Sequence, residues 1–255
     1  GLDVWRDNIS GVIYIDDFHV GDEIYETGTY REKEIDSSAE EVMDCERRLE
    51  AHKERYINRN ICDVGCGKGD FLTGAQDSAK SVYGVELQHN YLERLREKGI
   101  PCHNQISMFD QVFDTVFMFH SFEHFHQPLA ILNDIKAALA NDGQLIIEVP
   151  QANDFLLSEL ASDSFTDFTL WSQHLILHTT ESLKCILNAA GFSDIQIEGV
   201  QRFPLSNHLD WLANSSPGGH KGKLSRIDSP ELTVAYENAL KEIDATDTLV
   251  AFARI

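Results

Sequence analysis

Basic residues are scarce in this chain: 21 lysines and arginines stand against 42 aspartates and glutamates, a net charge of -21 over 255 residues. A field of that sign repels polyphosphates, so nucleic acid is not expected as a partner. The same charge would also suit a high-salt or merely solubility-driven surface. No Cys-x-x-Cys pair occurs among Cys45, Cys62, Cys66, Cys102 and Cys185, and their number is odd, which argues against both a cysteine zinc site and a disulfide framework. Reduced thiols in a cytoplasmic protein are the expectation. No window approaches the roughly 18 uninterrupted apolar residues of a membrane span, so none is expected. Tyr-x-x-x-Lys and His-Glu-x-x-His are also missing, which removes the signatures of one reductase class and of one family of zinc hydrolases.

What is present is an alternation. Residues 1–37 mix short apolar pieces such as Val12-Ile-Tyr-Ile15 with glycines and acids, and are expected to form an N-terminal extension of small strands and turns. Ser38-Ala-Glu-Glu41 supplies a capping box, with Val42, Cys45, Leu49 and Tyr56 following at roughly helical spacing. Strands are then expected over 60–64, 81–86, 113–119, 144–149, 195–200 and 246–253. Helices fall between them: over 70–79, through Leu92 and Leu95 to Gly99, from Pro128 to the turn Asn141-Asp-Gly143, and from Thr179 or Thr180 to Gly191. These six runs and one further strand predict an α/β domain over 38–255 built on a doubly wound seven-stranded sheet, with ligand over the carboxyl ends of the strands. Segments 151–178 and 201–245 fall outside the repeat and follow strand ends, where they would roof the site.

In Asp63-Val-Gly65-Cys66-Gly67-Lys-Gly69-Asp-Phe71 a strand runs into a glycine-rich turn and then a helix, the context in which such a turn holds a ligand against the main chain. The next strand ends in Glu86, a carboxylate placed to accept hydrogen bonds from both hydroxyls of a ribose. These features alone leave a nicotinamide cofactor open beside S-adenosylmethionine (SAM). The loop reads G-x-G-x-G rather than G-x-G-x-x-G, and Asp70 at the helix start suits a cationic sulfonium better than a pyrophosphate. The balance favours SAM.

With these motifs in hand, the chain resembles the class I SAM-dependent methyltransferases from about residue 40 to 200, with 246–253 continuing the match. Asp63 to Gly69 resembles the first motif of that family, Glu86 its ribose-binding acid, 113–119 its fourth strand and 141–147 the element after the following helix. The resemblance implies strand order 3-2-1-4-5-7-6 with strand 7 antiparallel, and SAM as cofactor, leaving as S-adenosylhomocysteine. It also implies an adenine pocket near Asn104, Gln105 and Ile106, with Leu87, Phe71 and Phe119 among the cofactor-binding residues. Phe122-Glu123-His124 with Pro128, and His174 to His178 before Thr179, are similar to the small-molecule branch that includes ubiquinone-type O-methyltransferases and deoxysugar C-methyltransferases. The tail from Arg202 to Trp211 is similar to methyltransferases of surface-polysaccharide biosynthesis. Deoxysugar C-methyltransferases carry a tyrosine where Ser121 stands, so oxygen is favoured over carbon as the methylated atom.

Methyl transfer from a sulfonium needs little more than alignment and, for a hydroxyl, removal of a proton. Histidine suits that base role, since its unperturbed pKa of about 6.5 leaves it largely neutral at working pH. His120 and His124 follow the fourth strand; His124 is the expected base and Glu123 its orienting partner. His174 and His178 would be i, i+4 neighbours on a helix and could converge on one ligand, or support a lid together with Trp171, Asn207 and His208. Glu123, His124, His126 and His174 include metal-ligating types, but their spacing matches no metal motif and no metal is expected. The expected acceptor is a small molecule, a sugar or a nucleotide-linked glycan. A nicotinamide oxidoreductase and a non-catalytic SAM-binding protein are the rival readings.

Overall fold

The computed structural model describes residues 3–15, 38–171 and 174–255, so most of the expected N-terminal extension lies outside the described residues. In chain order come β1 (Val4–Arg6), β2 (Ile13–Ile15), helix α1 (Ala39–Ala51), the short α2 (Lys53–Tyr56), β3 (Asn60–Val64), α3 (Asp70–Ala75), β4 (Ser81–Val85), α4 (His89–Glu97), β5 (Cys102–His103) and β6 (Phe113–Phe119). The second half holds α5 (Pro128–Ala138), β7 (Leu139–Pro150), α6 (Phe155–Ser158), α7 (Asp163–Thr169), β8 (Ile176–Leu177), α8 (Thr180–Ala189), β9 (Ser193–Val200), α9 (Leu205–Asn214), α10 (Pro230–Glu242) and β10 (Thr248–Arg254).

Seven strands form one sheet in the order β5-β4-β3-β6-β7-β10-β9, with β10 antiparallel to both neighbours and the other pairings parallel. This is the expected order 3-2-1-4-5-7-6 with a reversed seventh strand. Strand β6 shows why the sheet is covered on both faces. Val116 and Met118 enter one core with Leu132, Ile135, Leu183 and Leu187 of α5 and α8, while Phe117 and Phe119 enter the other with Phe71, Leu72, Leu92 and Leu95 of α3 and α4. Side chains alternate along a strand, so the consecutive apolar residues Val116 to Phe119 are what burial on both faces requires.

Local signals set the boundaries. Ser38 accepts from the Glu41 amide while Glu41 reaches back to the Ser38 amide, closing the expected capping box. Thr179 caps α8 in the same reciprocal way with Ser182. The helix from Pro128 stops at Ala138, earlier than expected. Pairing with β6 then jumps from Phe113↔Leu139 to Thr115↔Gln144, so 140–143 bulges out as the turn that Asn141-Asp-Gly143 suggested.

Two expectations are corrected. Val42 is exposed rather than facing the core, because α1 docks through Cys45 and Leu49 and the chain bends at His52 before Tyr56 is buried on α2. His174 and His178 are not helical neighbours: the segment between them is β8, which pairs antiparallel with β2 and, with β1, makes a second three-stranded sheet. Leu175 and Leu177 are buried with Ile176 between them half-exposed, a period of two that favours a strand over a helix. Among the described residues no helix is long and apolar enough to cross a membrane.

Charge fixes α1 to the sheet. Glu148, on β7 and fully buried, accepts from Arg47 at 2.8 Å through each oxygen and from Arg48 at 2.7 and 3.0 Å. Burial would raise the Glu148 pKa, but Arg48, His120 and Arg47 outweigh it and hold the carboxyl well below the usual range. Removing one partner of such a pair leaves uncompensated buried charge. Glu148→Gln is therefore expected to cost about 3 kcal/mol or more in urea unfolding; a loss under about 1 kcal/mol would contradict the role assigned to the pair.

Candidate cofactor cradle and acceptor site

The turn after β3 is held back against β4: the Gly65 and Cys66 amides donate to the Val85 carbonyl at 2.8 and 3.1 Å, and the Gly69 amide donates to Cys66 at 2.9 Å. Gly65, Gly67 and Gly69 all have positive φ, but their surroundings separate their roles. A Cβ on Gly65 would collide with the Ser121 side chain and one on Gly69 with Leu95, so those two glycines serve packing. A Cβ on Gly67 would meet no atom within 4 Å. That open face is where a ligand can lie on the main chain.

Glu86 closes the cradle from β4. It is 8% exposed, and its carboxylate accepts from the Gly67 amide through Oε2 and from the Leu87 and Gln88 amides through Oε1, each at 2.8 Å. Burial pushes its pKa above the ordinary carboxylate value, against the pull of those three donors. Asp63 is 3% exposed with Oδ1 lacking any hydrogen-bond partner, and burial pushes its carboxyl up to about 7. An open glycine face, a ribose-ready carboxylate and an orphaned buried acid together fit a nucleoside with a cationic tail.

The other expected cofactor residues divide. Asn104 and Gln105 are exposed on the turn after β5, while Ile106 is buried in the core. Phe71 and Phe119 pack edge to face at 4.8 Å, with the Arg48 guanidinium 4.7 Å over Phe119, so both shore up the cradle from beneath α1. A hydrogen bond with Cys102, together with burial, pushes the Cys66 thiol well above its ordinary pKa and keeps it protonated.

The acceptor end lies past β6. Ser121 donates through Oγ to the Val64 carbonyl at 2.7 Å, tying the ends of β6 and β3 together and covering Gly65. The chain then makes a single helical turn over Phe122–His124. Glu123 is 1% exposed; its Oε1 lies 3.5 Å from His120 Nδ1 and its Oε2 has no hydrogen-bond partner. Burial raises its pKa, but the hydrogen bond from His120 and the neighbouring imidazoles prevail and bring it to about 2. His174 arrives from the first roof segment because the Leu175 amide donates to the Glu123 carbonyl at 3.0 Å, while the Leu175 carbonyl accepts from Ile15 of β2. Its ring lies 5.2 Å from that of His124 and 5.3 Å from Trp171. Burial pushes the His174 pKa down to about 4, so the ring is neutral at physiological pH.

His120, Glu123, His124 and His174 thus come together, and Trp171 stands beside them. His178 does not join: its ring stacks on Phe122 and its Nδ1 meets Ser182 Oγ at 3.1 Å. Asn207 and His208 are interior to the second roof segment, where Asn207 Oδ1 accepts from the Gly218 amide and His208 Nδ1 meets the Tyr236 hydroxyl at 2.6 Å. His126 is exposed and outside the group. Sequence reasoning passed over Arg202. Its guanidinium donates to His120 Nε2 at 2.8 Å and pairs with Asp44 of α1, linking the second roof, the helix and the acceptor site. His120 itself has positive φ, a costly conformation for a non-glycine residue, held here by its amide bond to the Glu148 carbonyl.

A family model described as a methyltransferase domain matches residues 30–197. Among curated proteins, similar chains include a "tRNA U34 carboxymethyltransferase" of Hahella chejuensis, 25% identical over 187 residues, covering 66% of this chain and 56% of that protein. Another of the same name from Actinobacillus pleuropneumoniae serotype 3 is 24% identical, covering 75% and 66%. The chain therefore spans between about half and two thirds of the length of these relatives. Among solved structures, a SAM-dependent methyltransferase from Archaeoglobus fulgidus superposes with a TM-score of 0.56 at 18% identity, covering 86% of this chain and 95% of that one. Phosphoethanolamine N-methyltransferase 2 of Haemonchus contortus gives 0.55 at 19%, covering 83% and 52%. The chain belongs to the methyltransferase-domain family, in the class I SAM-dependent group. The chain accordingly carries a methyltransferase domain of the SAM-dependent kind, and the nicotinamide reading falls away.

Proposed function

We propose that this methyltransferase places the methyl group on a hydroxyl oxygen of a small acceptor, a sugar or nucleotide-linked glycan precursor, with His124 taking the hydroxyl proton. The observation that carries this reading is the meeting of Glu123, His124 and His174 at the end of β6, with one ligand-type atom from each within 4.8 Å of the others. In a doubly wound fold that end of the sheet faces ligand. Bound SAM supplies a methyl carbon already activated by its sulfonium, so the chain has only to align the acceptor and remove a proton. Gly67 and Glu86 hold the nucleoside, with Leu87 and the turn 104–106 at its adenine end. Glu123 orients His124, and His120, itself fixed by Arg202, positions Glu123. Trp171 offers an aromatic face beside His174 on which a sugar ring can stack.

The names of the curated relatives favour a second reading, a tRNA acceptor. The charge of -21 opposes it, and so does the commitment of Arg47, Arg48 and Arg202 to Glu148 and Asp44. Affinity for nucleic acid grows with the lysines and arginines available to neutralise phosphate. Incubation of the enzyme with methyl-labelled SAM, a small-molecule extract and bulk tRNA separates the two. Label is expected in the low-mass fraction as a methyl ether; label in an acid-insoluble, ribonuclease-sensitive fraction would establish the tRNA reading instead.

A further inference from the structure

We infer that Glu123, His124 and His174 form a binding site for a divalent transition-metal ion that receives the acceptor oxygen, a role that rests on the oxygen-methylation reading above.

Two nitrogen donors and one carboxylate oxygen already lie within 4.8 Å of one another, close enough to contract onto one ion. That donor set, without thiolate, suits zinc and its first-row neighbours rather than magnesium, which prefers oxygen ligands and retained water. Among the described residues three protein ligands rather than four converge, which leaves a coordination position for substrate, the pattern that separates catalytic from structural zinc sites.

Independent features of the surroundings point the same way. Glu123 is 1% exposed, and its Oε2 has no hydrogen-bond partner among the described residues. The neighbouring acids differ: Glu148 is paired with Arg47 and Arg48, and Asp44 with Arg202, whereas among the described residues Glu123 pairs with the imidazole of His120. A buried carboxylate oxygen left without a donor is costly, and a cation at the cluster would satisfy it. His174 is prepared for ligation from behind. Its Nδ1 lies 2.8 Å from the Thr169 carbonyl, so Nδ1 carries the proton and the Nε2 lone pair is presented. A backbone carbonyl accepting from the distal ring nitrogen is the usual support of a metal-bound histidine. The Leu175 amide bond to the Glu123 carbonyl fixes the spacing between the two chain segments.

With an ion seated, the His124 lone pair is committed to the metal, and coordination lowers the pKa of the acceptor hydroxyl so that its proton leaves to solvent. The alkoxide oxygen then bonds to the methyl carbon as the carbon–sulfur bond breaks, its electron pair remaining on sulfur. Without an ion, His124 itself accepts the proton.

The test is calorimetric titration of Zn2+ into the chelator-treated, untagged protein saturated with S-adenosylhomocysteine, with Co2+ absorption as a second readout and Mg2+ as the control. One equivalent of Zn2+ and a visible Co2+ band are expected. Glu123→Gln and His174→Ala should each weaken Zn2+ by on the order of 100-fold or more, with circular dichroism and SAM affinity unchanged. Absence of a saturable equivalent in the wild type, or uptake unaltered in both variants, overturns the inference. The two readings fail separately. A wild type that takes no ion yet loses turnover on His124→Ala keeps oxygen methylation and removes the metal, whereas one that binds Zn2+ but labels only tRNA removes the small acceptor and keeps the site.

Discussion

Glu86→Ala is expected to weaken SAM binding by about 2–4 kcal/mol, on the order of 30- to 1000-fold in Kd. Hydrogen bonds to a charged group are each worth about 1.5–3 kcal/mol, and the ribose offers two hydroxyls. The same substitution releases the Gly67 amide, which Glu86 Oε2 holds at 2.8 Å, so the loop loses its tie to β4 as well. Gly67→Val should reach a similar loss by another route. Its side chain would project into space that none of the described residues occupies, so its effect on affinity should exceed the roughly 1–2 kcal/mol that a left-handed φ of 53° costs the fold. Gly65→Val makes the contrast, since it would strike Ser121 and damage folding itself. Calorimetry on both variants checks the pair, and unchanged affinity in each would remove the cradle from the account.

Loss of the His124 imidazole is expected to lower kcat by about 10²–10⁴, the usual contribution of a positioned general base or acid. His124→Ala should leave SAM affinity near the wild-type value, because the residue belongs to the turn after β6 and the donor is held at β3 and β4. A fall in kcat and kcat/KM together, with cofactor binding retained, is the signature of a group that acts only in the transition state. A variant that turns over at the wild-type rate would move the chemistry away from this turn.

The sheet was legible because its signals are local. The apolar run Val116-Phe-Met-Phe119 announces a strand buried on both faces, and Asp63 to Gly69 suggests a cradle at the end of the first central strand. The strand order followed from the resemblance that these motifs carry. The acceptor end was only half legible. His120, Glu123 and His124 sit in a short stretch after β6 and could be read there, but His174 joins them through a main-chain bond from Leu175 to a residue far away in sequence. Read by spacing alone, His174 and His178 suggested one helix face; pairing of Leu177 with Ile13 made the segment a strand and sent His178 toward Phe122 and Ser182 instead.

Arg202 was hidden for a similar reason. Its partners, Asp44 and His120, lie 158 and 82 positions away, and no local pattern marks an arginine whose charge is matched only after the chain folds. Asn207 and His208, expected to support a lid, are bonded to Gly218 and Tyr236 within the second roof segment itself.

Difference density from crystals soaked in S-adenosylhomocysteine bears most directly on the cradle. The ribose hydroxyls should lie within hydrogen-bond reach of the Glu86 carboxylate and the nucleoside against the bare Gly67 main chain. Density for the nucleoside anywhere else, or a Gly67 face already filled by the protein's own side chains, would contradict the account.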